Sequence, residues 1–286
     1  MSLRLACLQS SPGADLAQNL AAALAQAADA ADRGAELVLL PEFAMLLHAS
    51  GRVMRETARA EDDHPALAAF RGFAGSRGVW VLLGSLTVTV DGDRIANRSY
   101  LIGADGEIAA RYDKIHMFDA TLPTGRTIRE SALYRPGDAA VVASTPWGPV
   151  GLSICYDLRF PQLYRALARA GAQLVVVPSA FTRATGAMHW HTLLRARAIE
   201  NACFIAAPAT CGEHPGDHST YGHTMIVDPL GRIIAEAGTE PEIVLADIDL
   251  GEALSVRERM PTLEQDRPFT PAAPVAAQPT AKVNLT

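Results

Sequence analysis

The chain has 286 residues, 49% of them hydrophobic and 20% charged, with a formal net charge of −6. This composition excludes a disordered or fibrous protein and allows a sizeable core, and the acidic balance without a long basic run gives neither nucleic acid nor an anionic membrane an electrostatic reason to bind. Residues 1–9 lack the basic region and long apolar core of a signal peptide, no apolar run reaches the roughly 18 residues that span a bilayer, and four cysteines without a paired framework point to free thiols in a reducing cytoplasm.

Residues 3–8 predict a strand, the Ala-rich stretch 15–33 a helix, and 35–40 a second, buried strand; this alternation is the signature of an α/β fold. The stretch 48–63, with Met54, Arg55 and Arg59, reads as a polar loop. A helix over 64–77 leads to a strand at 79–84. The turn signals Asp91-Gly92-Asp93 and Ala104-Asp105-Gly106 then join the next strands as antiparallel hairpins. A polar loop is expected at 121–138. Strands follow at 139–143 and 150–155, then a helix opened by Pro161, a strand at 173–177, a helix from about Met188 to Asn201, a strand at 204–207 and three further strands to Ile248. No linker or repeat interrupts the pattern, so residues 1–267 read as one domain and the Pro- and Ala-rich residues 268–286 as a tail.

Three residues invite a chemical reading. Cys155 ends an apolar strand just before a helix, the end of an open α/β sheet where ligands bind, whereas Cys7 and Cys203 sit inside apolar strands as small buried hydrophobes do. Glu42 follows a buried run and Pro41, where a carboxylate can be held in partly desolvated surroundings that suit a general base; a glutamate after a strand is more commonly solvated. Lys114 follows the hairpin region and becomes functional only if its ammonium is fixed near a carbonyl oxygen that turns anionic.

Several rival arrangements are weaker. Ser153 in Gly151-Leu152-Ser153-Ile154-Cys155 starts like a serine nucleophile elbow, but Cys155 replaces its closing glycine. A thiol–histidine pair could draw on His116, His189, His191 or His223, without any of the local signatures that accompany such pairs. Cys211, His214, His218 and His223 are loosely compatible with a metal site, yet lack the tight paired spacing of zinc ligands. No glycine-rich nucleotide-binding pattern is present in the sequence.

Together, Pro41-Glu42-Phe43, the segment Tyr112-Asp113-Lys114-Ile115-His116-Met117-Phe118-Asp119 and the segment Cys155-Tyr156-Asp157-Leu158-Arg159-Phe160-Pro161 resemble the nitrilase, or carbon–nitrogen hydrolase, superfamily, and its Nit-type amidase branch most closely. The resemblance runs over about residues 3–265. It implies a four-layer α-β-β-α sandwich, commonly paired into a homodimer, with a catalytic triad falling on Glu42, Lys114 and Cys155 and a second glutamate on Glu130. It implies hydrolysis of a small carboxylate-bearing amide, of the α-ketoglutaramate or deaminated glutathione type, to acid and ammonia through a cysteine thioester, with no metal or organic cofactor. Nitrile or N-carbamoyl amino-acid hydrolysis by the same triad, or a catalytically silent binding protein, are the alternatives. For the substrate carboxylate the expected anchor is Arg159, because a guanidinium grips a carboxylate bidentately. Tyr156, through its backbone N–H, and Phe181 and Thr185 complete the expected pocket. Thr210 stands where many Nit-type sequences carry glutamine, which bears on substrate choice.

Overall fold

Along Ser2–Gln9 (β1) the side chains alternate, with Leu3, Leu5 and Cys7 on one face and Ala6 and Leu8 on the other, and all five are buried. Such a strand needs cover on both sides. The computed structural model, which describes residues 2–271 other than 91–93, 122–124, 126 and 217, shows what provides it. In chain order β1 is followed by α1 (Leu16–Asp32), β2 (Leu37–Leu39), α2 (Gly51–Thr57), α3 (Pro65–Arg77), β3 (Trp80–Thr89), β4 (Ile95–Ile102), β5 (Ile108–Asp113), β6 (Asp119–Thr121), β7 (Thr127–Arg129), β8 (Val141–Thr145) and β9 (Gly148–Leu152). Then come α4 (Pro161–Arg169), β10 (Leu174–Val176), α5 (Arg183–Asn201), β11 (Phe204–Ala207), β12 (Cys211–His214), β13 (His218–Tyr221), β14 (Met225–Val227), β15 (Ile233–Glu236), β16 (Glu242–Asp249) and α6 (Gly251–Arg259).

Two six-stranded sheets form, ordered β16-β1-β2-β3-β4-β5 and β15-β14-β11-β10-β9-β8. Each has three parallel strands at its centre, β1-β2-β3 and β9-β10-β11, flanked by antiparallel neighbours. The sheets meet through one apolar core in which Leu3, Leu5, Cys7, Leu37, Leu39 and Leu82 join Val150, Leu152, Leu174 and Val176. On the far face of the first sheet, Ala6, Leu8, Val38 and Val81 pack under α1 (Ala23, Ala27, Ala30) and α3 (Leu67, Phe70, Ala74). Helices α4 and α5 cover the second sheet. This is the four-layer α-β-β-α sandwich that the sequence led us to expect.

The C-terminal ends of β2 and β9, one in each parallel centre, lead into residues 42 and 155, which meet at one cleft. Gly84 in β3 shows how closely the chain is drawn together there. A Cβ at this position would lie 1.9 Å from the carbonyl oxygen of Leu40 and 2.6 Å from Pro178 Cβ. Gly84→Ala is therefore expected to cost at least about 3 kcal/mol. A denaturant midpoint within error of the parent would show that the backbone yields at no cost.

Some elements depart from the sequence reading. The strand expected to run to Cys155 ends at Leu152, because the chain turns there. Helix α5 begins at Arg183, well before Met188: Thr182 caps it by accepting the N–H of Thr185, and Gly186 lets Tyr221 pack directly on the helix. The 48–63 stretch holds the short helix α2, and the 121–138 stretch holds β7, which pairs with β6 just before it. Five strands rather than three follow β11, since the polar segment around His214 pairs as β12–β13. Residues 268–271 carry no regular structure. The Asp91-Gly92-Asp93 turn and the remainder of the expected tail lie outside the described residues.

Candidate active site

Cys155 stands just past β9 at the start of a 3-10 turn, with φ +48, a left-handed conformation that costs a non-glycine residue energy. Two features hold it there. Its own N–H donates to the Pro178 carbonyl at 3.0 Å. Asp157, fully buried two residues on, accepts the Ile154 N–H (2.9 Å), the His116 N–H (3.0 Å) and the Tyr112 hydroxyl (2.6 Å), with His116 Nδ1 at 2.7 Å. One carboxylate thus ties the cysteine turn to the segment that carries Lys114.

Lys114 follows β5, its N–H donating to the Asn97 carbonyl (3.0 Å) and its carbonyl accepting from Gly137 (2.8 Å). Its Nζ donates to Glu42 Oε1 at 3.0 Å and to both oxygens of Glu130 at 2.9 Å. Glu42, just after β2, also accepts from Asn97 Nδ2 (2.9 Å) and from the Ala180 N–H (2.8 Å). Glu130, just after β7, accepts from the Phe118 N–H at 2.6 Å. Phe43, next to Glu42, is another strained residue at φ +56. Lys114 and Glu42 are 2% and 1% exposed, so these charges meet away from bulk water, where hydrogen bonds to ions are strongest.

The electrostatics follow from that burial. Desolvation alone would push the Lys114 ammonium down, but Glu130 and Glu42 outweigh it and hold the amine well above its ordinary value. Burial raises Glu130; Lys114 pulls it back and the Glu42 charge adds to the rise. Burial and then the Glu42 carboxylate, which hydrogen-bonds the thiol, raise Cys155 well above a free cysteine, with Lys114 opposing. At neutral pH Cys155 is thus a protonated thiol next to a carboxylate able to take its proton and an ammonium able to stabilise an oxyanion.

The four groups open on a cleft of about 490 Å³. Glu42, Lys114, Glu130 and Cys155 all line it; Tyr156, Arg159, Phe181 and Thr185 do not. The Arg159 guanidinium, expected to anchor a carboxylate, lies over the rings of Tyr156 (5.7 Å) and Phe181 (5.3 Å), with Nη1 3.2 Å from His189 Nδ1. Thr185 bonds Thr182 in the first turn of α5. Thr210, buried, donates its N–H to the Ser179 carbonyl behind the cleft. The cations in the cleft wall are instead Arg52 and Arg55 on α2 and Arg129 on β7. Arg52 is paired with Glu56.

Rival readings fall on geometry. Ser153 Oγ is buried against the Val176 carbonyl (2.8 Å) and Tyr164. Both ring nitrogens of His214 are engaged, with the Pro12 carbonyl and Thr220. Cys211 is buried, His218 lines the cleft and His223 faces Glu236, so these four do not form one metal centre. Asn97 and Asp157 were missed in the sequence. A signal existed for Asp157, two residues past the cysteine, but Asn97 is one of several polar residues in β4, beside Arg98 and Ser99.

Fold and site together define an enzyme of the nitrilase type. The carbon–nitrogen hydrolase family profile matches residues 4–258. A deaminated glutathione amidase from Yersinia enterocolitica is 41% identical over 267 residues, covering 92% of this chain and 92% of that one. The nitrilase and fragile histidine triad fusion protein NitFhit of Caenorhabditis elegans superposes with a TM-score of 0.87 at 35% identity, over 93% of this chain and 65% of that one. An amidase from Nesterenkonia sp. AN1, bearing acrylamide on its active-site cysteine, superposes with a TM-score of 0.77 at 29% identity, over 90% of this chain and 98% of that one. The chain belongs to the carbon–nitrogen hydrolase family. Among the described residues no helix is long and apolar enough to cross a membrane.

Proposed function

We propose that this chain hydrolyses a small amide that carries carboxylates on both sides of the scissile bond, as deaminated glutathione does, through a thioester on Cys155. The observation that carries the reading is the buried Glu42–Lys114–Glu130 cluster around Cys155 on its left-handed turn, opening to a cleft rimmed by Arg55 and Arg129.

The thiol proton passes to Glu42 as sulfur attacks the amide carbonyl. Lys114, whose ammonium lines the cleft beside Cys155, stabilises the developing oxyanion. Glu42 then returns the proton to the leaving nitrogen, the C–N bond breaks and the acyl group remains on sulfur. Glu42 next takes a proton from water, which attacks the thioester, and the acid leaves as the thiol is restored. Glu130 holds Lys114 in place. The leaving group is an amine, which is ammonia for a primary amide such as α-ketoglutaramate.

The names of the relatives favour deaminated glutathione, and a cleft of about 490 Å³ has room for a substrate of that size. The deciding experiment measures kcat/KM for deaminated glutathione, α-ketoglutaramate, a nitrile and an N-carbamoyl amino acid side by side. The tripeptide-sized substrate is expected to lead by at least about tenfold. A lead for α-ketoglutaramate would move the reading to an ω-amidase, and a lead for the nitrile or carbamoyl compound would replace it.

Arg129 lines the cleft, with the Asp119 carboxylate beside it across the β6–β7 hairpin, and supplies a further prediction. Arg129→Gln should raise KM for the carboxylate-bearing substrate by about 10- to 100-fold, the worth of a charge-assisted hydrogen bond, while kcat changes little. An unchanged KM would remove Arg129 from substrate recognition.

Pairing into a homodimer is supported by exposed apolar side chains at one place. Ile199 on α5 lies against Gly231, beside exposed Leu230, Ile233 and Ile234. The four cysteines are free and buried, in keeping with a reducing cytoplasm.

A further inference from the structure

Away from the cleft, three side chains from separate parts of the chain converge. His191 on α5 places Nε2 2.7 Å from Glu236 Oε1 on β15, and His223, just before β14, places Nδ1 3.0 Å from the same oxygen. The donor atoms all lie within 4.8 Å of one another. We propose that His191, His223 and Glu236 form a divalent-cation site of zinc type, separate from the catalytic centre.

The donor set is the first support. Two imidazoles and one carboxylate suit zinc and its first-row neighbours rather than calcium or magnesium, which take oxygen ligands. The spacing is the second. Tetrahedral bonds of about 2.0–2.1 Å put neighbouring ligand atoms about 3.3 Å apart; the two imidazole nitrogens, 2.7 and 3.0 Å from the Glu236 oxygen, need to move from it by only a few tenths of an ångström, and all three donors already lie within 4.8 Å of one another.

Preorganisation is the third support. His223 holds a left-handed φ of +56. Its N–H donates to the Gly238 carbonyl at 3.0 Å, and its carbonyl accepts from Trp190 Nε1 at 2.8 Å. The Tyr221 ring is stacked on its imidazole at 4.3 Å. A surface histidine serving only as a hydrogen-bond partner has no need of a strained backbone fixed from both sides. His191 and His223 are 36% and 24% exposed, which leaves a coordination position for water.

The three donors belong to α5, to the turn before β14 and to β15. The ion would therefore staple these elements where β13 arrives from His218 at the cleft. Its role is structural: no step of hydrolysis passes through it.

The test is titration of the full-length protein with Zn²⁺ and with Co²⁺ as a spectroscopic substitute, followed by melting in the presence of each metal. One equivalent per chain is expected. The Co²⁺ spectrum should show no thiolate charge-transfer band, Cys155→Ala should leave binding unchanged, and Zn²⁺ should raise Tm. His191→Gln and Glu236→Gln should each weaken binding by at least about tenfold and remove the rise in Tm. Both positions are partly exposed; if one variant failed to fold by circular dichroism, the other would decide. Absence of stoichiometric binding, binding that survives both substitutions, or binding lost in Cys155→Ala would each overturn the site.

Discussion

Replacing Cys155 by alanine lowers kcat/KM for the amide substrate by at least about 10⁴-fold, the scale seen when a covalent nucleophile is deleted from a unit whose members act together. Fold and substrate binding should survive. Cys155 is 8% exposed at the floor of an open cleft, so truncation leaves only a small cavity, and the turn is held by Asp157 and the Pro178 carbonyl rather than by the thiol. A Tm within a few degrees of the parent and unimpaired substrate binding, read by calorimetry, should therefore accompany the loss of turnover. The residual rate separates mechanisms. A general-base mechanism, with Glu42 activating water directly, keeps Glu42, Lys114 and Glu130 intact in this variant and would retain a substantial part of the parent rate. Residual turnover above about a hundredth of the parent would sink the thioester route.

How much of this was legible beforehand depended on range. The periodicity of residues 3–8 and 15–33 and the Pro161 helix start are local signals, and they placed the layers of the fold. The residues at Glu42, Lys114, Glu130 and Cys155 became readable as a set through their family resemblance, and the structure brings all four to one cleft. Arg159 could not be placed that way. Whether a guanidinium faces substrate or an aromatic pair is decided by Tyr156 and Phe181 packing from different segments, and proximity in sequence to the cysteine carries no information about that. Arg129 sat in a stretch read as a polar loop, since a three-residue strand pairing across a short hairpin has too few residues to show a period. The His191–His223–Glu236 cluster was hidden for another reason: its members are far apart in the chain and are joined by α5 packing on β13 and β14 and by the pairing of β14 with β15.

Glu42→Gln is expected to move two properties of the same thiol in opposite directions. Hydrolysis should fall by about 10²- to 10⁴-fold, because glutamine can neither take the thiol proton nor protonate the leaving nitrogen. Alkylation of Cys155 should instead shift to lower pH. The sign follows from the charges around sulfur: burial and the Glu42 carboxylate both raise the thiol, whereas Lys114 lowers it. Removing the negative charge deletes one raising influence and leaves burial alone against the ammonium, so the thiol pKa falls and more thiolate is present at any pH below it. A lower pKa also makes a weaker nucleophile. With a Brønsted slope of about 0.4–0.5, each unit of downward shift still leaves a net gain of about threefold in alkylation rate at fixed pH. The same substitution lowers Glu130, which Glu42 helps to raise, so Glu130 stays ionised and Lys114 keeps a partner. Iodoacetamide kinetics across a pH series, paired with turnover in the same buffers, read both effects. If hydrolysis and alkylation fell together, the substitution would have disturbed the turn that carries Cys155, and Glu42 would lose its assignment as the base.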